Sequence, residues 1–207
     1  MSLQNRVLPD GRIVAQGWRG TMMGNRGGRI HNRETKTLMR RGWASKRWII
    51  CQLSFKGRQR RVMGDGYTEL FFLDEASALA AGHRPCFECR RTAARAFASA
   101  FGSSHNLTVT PGADAMDRQL HSERVSPHFP EFSGDPASLP DGTFLRSGEA
   151  FLAVKEGKLL NWSQAGYSNA SDVGGNLEII TPPSIRAALA AGYKPQWHPS
   201  AMIAPGV

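Results

Sequence analysis

The sequence predicts an α+β fold in which antiparallel strands are combined with short helices. Three observations support this assignment. Runs of aliphatic and aromatic residues, such as Trp48-Ile49-Ile50-Cys51 and Ala150-Phe151-Leu152-Ala153-Val154, are bounded by turn residues. Turns of hairpin length, Lys56-Gly57-Arg58 and Glu156-Gly157-Lys158, join consecutive runs and favour antiparallel pairing. Ala-rich stretches with start and stop signals lie between the strand-like segments.

The elements follow in chain order. Leu8-Pro9-Asp10-Gly11 is a turn, with Pro presetting φ and Gly free to take positive φ. Strand is expected over residues 48–55, with a hairpin return over 59–63 and a further strand over 67–72. Asp74 is the expected N-cap of a helix over 75–81, which Gly82 and Pro85 terminate. A second helix is expected over 88–101, with Ala93, Ala94, Phe97 and Phe101 on one face. A third, over 113–125, places Met116 and Leu120 together at i, i+4. Strands over 143–145, 150–154, 159–162 and 177–180 come next, and Thr181 is expected to cap a helix that begins at Pro182.

Two phrases recur. Leu8-Pro9-Asp10-Gly11 returns as Leu139-Pro140-Asp141-Gly142, and Ala78-Leu79-Ala80-Ala81-Gly82-His83-Arg84-Pro85 returns as Ala188-Leu189-Ala190-Ala191-Gly192-Tyr193-Lys194-Pro195. Their order points to an internal duplication of a strand-rich unit closed by a capped helix, or to two independent uses of common turn and cap chemistry. The organisation read from these signals is a basic unit over 1–102, a Pro-rich connecting segment with one helix over 103–138, and a small α+β unit over 139–207.

Composition limits the function classes. With 207 residues, 41% hydrophobic and 21% charged, the chain is long enough to bury a core and is not a disordered tail. No apolar run approaches the roughly 18 residues of a membrane span, and residues 1–12 carry no signal-peptide core, so a cytoplasmic protein with no membrane partner is expected. The net charge of +9 is concentrated: residues 1–65 carry +12, 66–100 carry zero and 101–207 carry −3. The basic third interleaves Arg26, Arg29, Arg40, Arg41 and Arg47 with Trp43, Trp48 and several glycines. Arginines neutralise phosphates and Trp faces stack on unpaired bases, so contact with DNA or RNA is expected here. The plainer reading is a solvated basic face with both tryptophans in the core. Neither a Walker loop nor a dinucleotide fingerprint occurs.

Three cysteines are too few for a disulfide framework. Cys86-Phe87-Glu88-Cys89 has the spacing that turns two thiolates toward one tetrahedral ion, and Cys51, on an expected strand, is a third candidate ligand. A redox pair or inert buried thiols are the other readings. The text from Phe71-Phe72 through Ala78-Leu79-Ala80-Ala81-Gly82-His83-Arg84-Pro85-Cys86-Phe87-Glu88-Cys89-Arg90 resembles the second half of the metal-binding domain of the bacterial Ada DNA-repair protein. The resemblance covers about twenty residues and implies zinc on Cys86 and Cys89. It departs from Ada's first cysteine pair, because Phe55 stands four residues after Cys51, where a ligand would be needed. That departure argues against methyl-transfer repair. In the second copy of the repeated phrase Gln196 and Pro199 replace the two cysteines, so the cysteines alone argue for metal.

His31 is the first candidate for a fourth ligand, with His83, His105 and water as the others. Asp117, His121 and Arg124 share a helical face, where His121 with Asp117 forms an acid–base pair, a metal ligand or an ordinary charged surface. The expected function is therefore a zinc-binding protein that contacts nucleic acid. The alternatives are a nuclease-like or other phosphate-ester hydrolase using His31 or His121, and an interaction protein stapled by zinc.

Overall fold

The computed structural model describes residues 2–59, 61–170 and 175–202. It is an α+β arrangement with two mostly antiparallel six-stranded sheets and four short helices. The first sheet contains β1 (Gln4–Val7), β2 (Ile13–Ala15), β3 (Met22–Arg26), β4 (Trp48–Cys51), β5 (Leu70–Phe72) and β6 (Arg84–Pro85), in the order β2-β1-β5-β3-β4-β6. Two of its pairings, β1 with β5 and β4 with β6, are parallel. After this sheet come α1 (Glu75–Ala80), which precedes β6 in the chain, then α2 (Arg91–Ser104) and α3 (Ala113–Val125). The second sheet contains β7 (Glu131–Phe132), β8 (Phe144–Ser147), β9 (Ala150–Lys155), β10 (Lys158–Ser163), β11 (Gly166–Asn169) and β12 (Leu177–Ile179), in the order β11-β10-β9-β8-β12-β7. The last helix is α4 (Pro183–Ala190).

All six residues of α1 are buried, because the helix is wedged between two cores. Ala78 and Leu79 face a cluster with Ile50, Leu70, Phe72, Phe97, Leu120 and Ile185, while Ala76 and Ala80 face one with Phe144, Ala153 and Tyr167. Small side chains suit a helix packed on both sides at interior density. Asp74 caps it as expected: its carboxylate accepts from the Ser77 N–H at 2.9 Å and from the Tyr167 hydroxyl at 2.9 Å. Glu75 is buried as well and accepts two bonds from Arg90, at 2.8 and 2.7 Å, and one from the Gln196 N–H at 2.8 Å. The Tyr193 hydroxyl also donates to it. Residues of the last third thus bond to the start of α1, and α4 adds Ile185 and Leu189 to the core built on β3, β4 and β5.

Several expectations shift. The strand expected over 48–55 stops at Cys51. The hairpin return over 59–63 is not a strand at residue 59 or at 61–63, and residue 60 lies outside the described residues. Met63 turns inward in the left-handed conformation (φ 51°), and its N–H goes to the Glu69 carboxylate at 2.8 Å. The second helix begins at Arg91 rather than Glu88, because the Arg90 N–H closes a turn on the Cys86 carbonyl at 3.0 Å. The last helix begins at Pro183, and Thr181 Oγ1 accepts from the Phe144 N–H at 2.7 Å instead of capping it. The third helix has the expected bounds, with Met116 and Leu120 buried. The repeated phrase takes the same cap in both copies. Gly82 and Gly192 have φ of 81° and 98°, and the N–H of His83 and of Tyr193 reaches back to Ala78 and Ala188. The strand orders around the two copies differ.

Candidate metal centre

The text Trp48-Ile49-Ile50-Cys51 is a strand whose side chains alternate between two faces of the first sheet. Trp48 is buried and Ile50 joins the main core, while Cys51 projects to the opposite face and packs with Met23 and Cys86, against Ile49, Phe71 and Cys89. Gly24, in the neighbouring β3, permits this pairing: a Cβ there would lie 2.2 Å from the Ile49 carbonyl oxygen.

β6 brings the other two thiols. Arg84 and Pro85 pair in parallel with Ile49 and Ile50, and the Cys86 N–H donates to the Ile50 carbonyl at 2.9 Å. This register sets Cys86 beside Cys51. The following turn returns Cys89 to the same place, and the Glu88 N–H donates to Cys86 Sγ at 3.3 Å. The three sulfurs all lie within 4.8 Å of one another. Tetrahedral coordination at a Zn–S distance of about 2.3 Å puts sulfurs about 3.8 Å apart, so only a small contraction is needed. Hydrogen bonds from Cys51 and then Cys89 hold the Cys86 thiol well below the usual thiol range. The Cys51 thiol is pushed far up by its bonds to Cys86 and then Cys89, and by burial. The three thiols as a group can bind a metal ion.

Among the described residues, no His, Asp or Glu joins this group. His31 is buried elsewhere, its Nδ1 paired with Thr68 Oγ1 at 2.7 Å and its Nε2 with the Gly64 carbonyl at 3.0 Å. It ties residues 61–68 to the segment after β3 and has no ring nitrogen left for a metal. His83 lies on the other face of the sheet against Trp48 and Phe72, and His105 bonds to the Phe101 carbonyl and Ser184. Asp117 is not His121's partner: it is buried in a bidentate pair with Arg84, at 2.9 and 2.6 Å.

The sulfurs open onto a pocket of about 380 Å³, whose floor is Met23, Asn25, Ile49, Glu69 and Phe71. Phe55 lines it too. Arg58 and Glu88 form an ion pair beside it. Glu69 and Asn25 were not singled out in the sequence. The available signal was a polar residue among apolar ones on strand-like text.

The seven residues expected to meet nucleic acid are separated. Arg29, Arg40, Arg41, Trp43 and Arg47 lie on the irregular segment 27–47, at or near the surface. Arg26 and Trp48 are only 6% and 5% exposed. They pair in register between β3 and β4 on the face opposite the cysteines, and burial removes them from any open basic surface. No helix among the described residues is long and apolar enough to cross a membrane. No family model, curated protein or solved structure matches the chain.

Proposed function

We propose that this chain is a zinc-binding protein that contacts nucleic acid through the exposed part of its basic N-terminal third. The observation that carries the zinc reading is the convergence of Cys51, Cys86 and Cys89 from two paired strands and one turn, with a backbone N–H donated to sulfur. The Ada-like phrase around Cys86 and Cys89 supports the same metal. Cys51, Cys86 and Cys89 would hold the ion, which would tie the end of β4 to the turn before α2. Structural zinc of this kind contributes folding free energy directly. For nucleic acid, the supporting features are Arg29, Arg40, Arg41 and Arg47 beside Trp43, which is 40% exposed. Phosphate neutralisation and stacking are the two terms such residues supply.

Elemental analysis of the purified chain is expected to give about one zinc per molecule, lost in Cys86→Ser/Cys89→Ser; a folded wild type without metal would overturn the zinc reading. Binding to a single-stranded oligonucleotide is expected to fall steeply with salt and to be lost in Arg40→Ala/Arg41→Ala/Arg47→Ala. Binding that ignores both salt and these arginines would overturn the nucleic-acid reading.

A second reading, a hydrolase, is favoured by one feature: three protein ligands and an adjoining pocket are the pattern of catalytic rather than structural zinc. Turnover of a phosphate ester that is lost in Glu69→Gln while zinc content is retained would establish it.

A further inference from the structure

The face of the first sheet opposite the cysteines carries a second cluster of chemistry. The Arg26 guanidinium lies 4.0 Å over the Trp48 ring, and that of Arg124, from α3, approaches the same ring at 5.0 Å. The Arg124 side chain is 2% exposed. Gly82 gives it room, since a Cβ at that position would come within 2.9 Å of Arg124 Cγ.

These two cations have little direct counter-charge. Arg26 donates to the Gly11 carbonyl at 2.7 Å and, more weakly, to His83 Nε2 at 3.4 Å and the Gly42 carbonyl at 3.5 Å, but among the described residues it makes no ion pair. Arg124 donates through Nη1 to the Lys46 carbonyl, and its nearest carboxylate oxygen, on Asp117, is 3.9 Å away and already bonded to Arg84. Its Nε and Nη2 are buried with no hydrogen-bond partner, as is Trp48 Nε1. Buried donors of this kind are almost always satisfied, by protein, water or ligand. Burial, and for Arg26 then the Arg124 charge, draws both guanidinium groups down to about 9.

A pocket of about 380 Å³ opens onto these groups, lined by Arg26, Arg124, Trp43, Trp48, His128 and Phe129. Its size is that of a small-ligand site. Two carboxylates also line it, but each is engaged. Asp10 accepts from the Arg12 N–H and Nε, and Glu123 accepts from the Ser184 N–H and hydroxyl. The carboxylates are thus held by neighbouring donors while two Arg124 donors remain unpartnered, and the aromatic mouth includes the half-exposed Trp43.

We propose that this pocket binds a nucleoside phosphate, with the phosphate between Arg26 and Arg124 and the base against Trp43. Phosphate oxygens supply the acceptors that the buried Arg124 donors lack and a counter-charge for Arg26, and the indole supplies a stacking surface for a flat base. The phosphate comes either from a free mononucleotide or from the phosphorylated end of a nucleic acid strand. The site goes beyond the surface contact proposed above and does not depend on zinc.

The test is a tryptophan-fluorescence titration of the full chain, because Trp43 and Trp48 both report on the pocket. Adenosine 5′-monophosphate is expected to give a saturable change, with adenosine at least tenfold weaker. Arg124→Gln is expected to lose tenfold or more, and Trp43→Ala to weaken binding without changing the melting temperature. A 5′-phosphorylated dodecamer that binds tighter than both the mononucleotide and the 5′-hydroxyl dodecamer assigns the strand end as the source. Equal affinity of dodecamer and mononucleotide assigns the free nucleotide. Arg40→Ala/Arg41→Ala/Arg47→Ala is expected to leave mononucleotide binding unchanged, so each reading can fail without the other. No saturable response to any phosphate, or equal affinity for adenosine and its monophosphate, would overturn the proposal and leave water as the partner of the buried donors.

Discussion

Glu75 is a buried carboxylate on which three parts of the chain converge, and its removal has a calculable effect. It is buried at the first turn of α1 and accepts from both Arg90 Nη atoms, from the Tyr193 hydroxyl and from the Gln196 N–H. Arg90 follows Cys89 directly, so this pair anchors the turn that carries two thiols as well as the chain after α4. Glu75→Gln keeps the shape but leaves a buried guanidinium without its counter-charge. Breaking a buried pair in this way costs about 3–5 kcal/mol. For a chain of this size that corresponds to a fall in melting temperature of about 6–20 °C. Urea denaturation followed by circular dichroism is the assay, on wild type, Glu75→Gln, Arg90→Met and the double variant. The double variant is expected to recover part of the Glu75→Gln loss, because it removes the stranded charge. A Glu75→Gln cost below about 1 kcal/mol, or strict additivity of the two single effects, would refute the reasoning.

Other expectations follow from the same geometry. Gly82→Ala is expected to cost more than Gly192→Ala. Both have positive φ, worth about 1 kcal/mol, but only Gly82 has a side chain, Arg124, in the way of a Cβ; equal costs by urea denaturation would refute the steric account. His83 is held well below its usual range by burial and then by the Arg26 charge. Below about pH 6.5 the unfolded chain therefore takes up a proton that the folded one does not, and stability is lost as pH falls, by about 1.4 kcal/mol per pH unit from this group. His83→Phe is expected to flatten that slope, and identical slopes for the two proteins would show that His83 charges freely in the fold. Cobalt substituted at the cysteine group is expected to give an intense sulfur-to-metal absorption band, lost in Cys51→Ser; a band unchanged by that substitution would remove Cys51 from the ligand set.

Local chemistry was legible where a few adjacent residues decide the outcome. Asp74 and Gly82 bound α1 because cap bonds form within four residues, and Glu156-Gly157 turns β9 into β10 because both residues adopt positive φ. The Cys86–Cys89 pair was legible for the same reason, and so was Cys51 on its strand. The strand β3 was not read: Met22-Met23-Gly24-Asn25-Arg26 contains a glycine, an amide and a cation, and its pairing depends on strands 22 or more residues away. The text at Cys86–Cys89 suits a first helical turn, and only the bond from the Arg90 N–H to the Cys86 carbonyl closes it as a separate turn before α2.

The α+β class, the cap chemistry and the set of thiols follow from the amino-acid text alone, because these depend on composition and on neighbours along the chain. Which groups meet is settled by the fold in three dimensions. The parallel pairing of β4 with β6 joins Cys51 to a pair that begins 35 residues further on, the hydrogen bonds of His31 take it out of any ligand set, and alternation along Trp48-Ile49-Ile50-Cys51 sends thiol and indole to opposite faces. Register between distant strands sets these outcomes, and register is fixed by the burial of whole faces rather than by any residue's own preference.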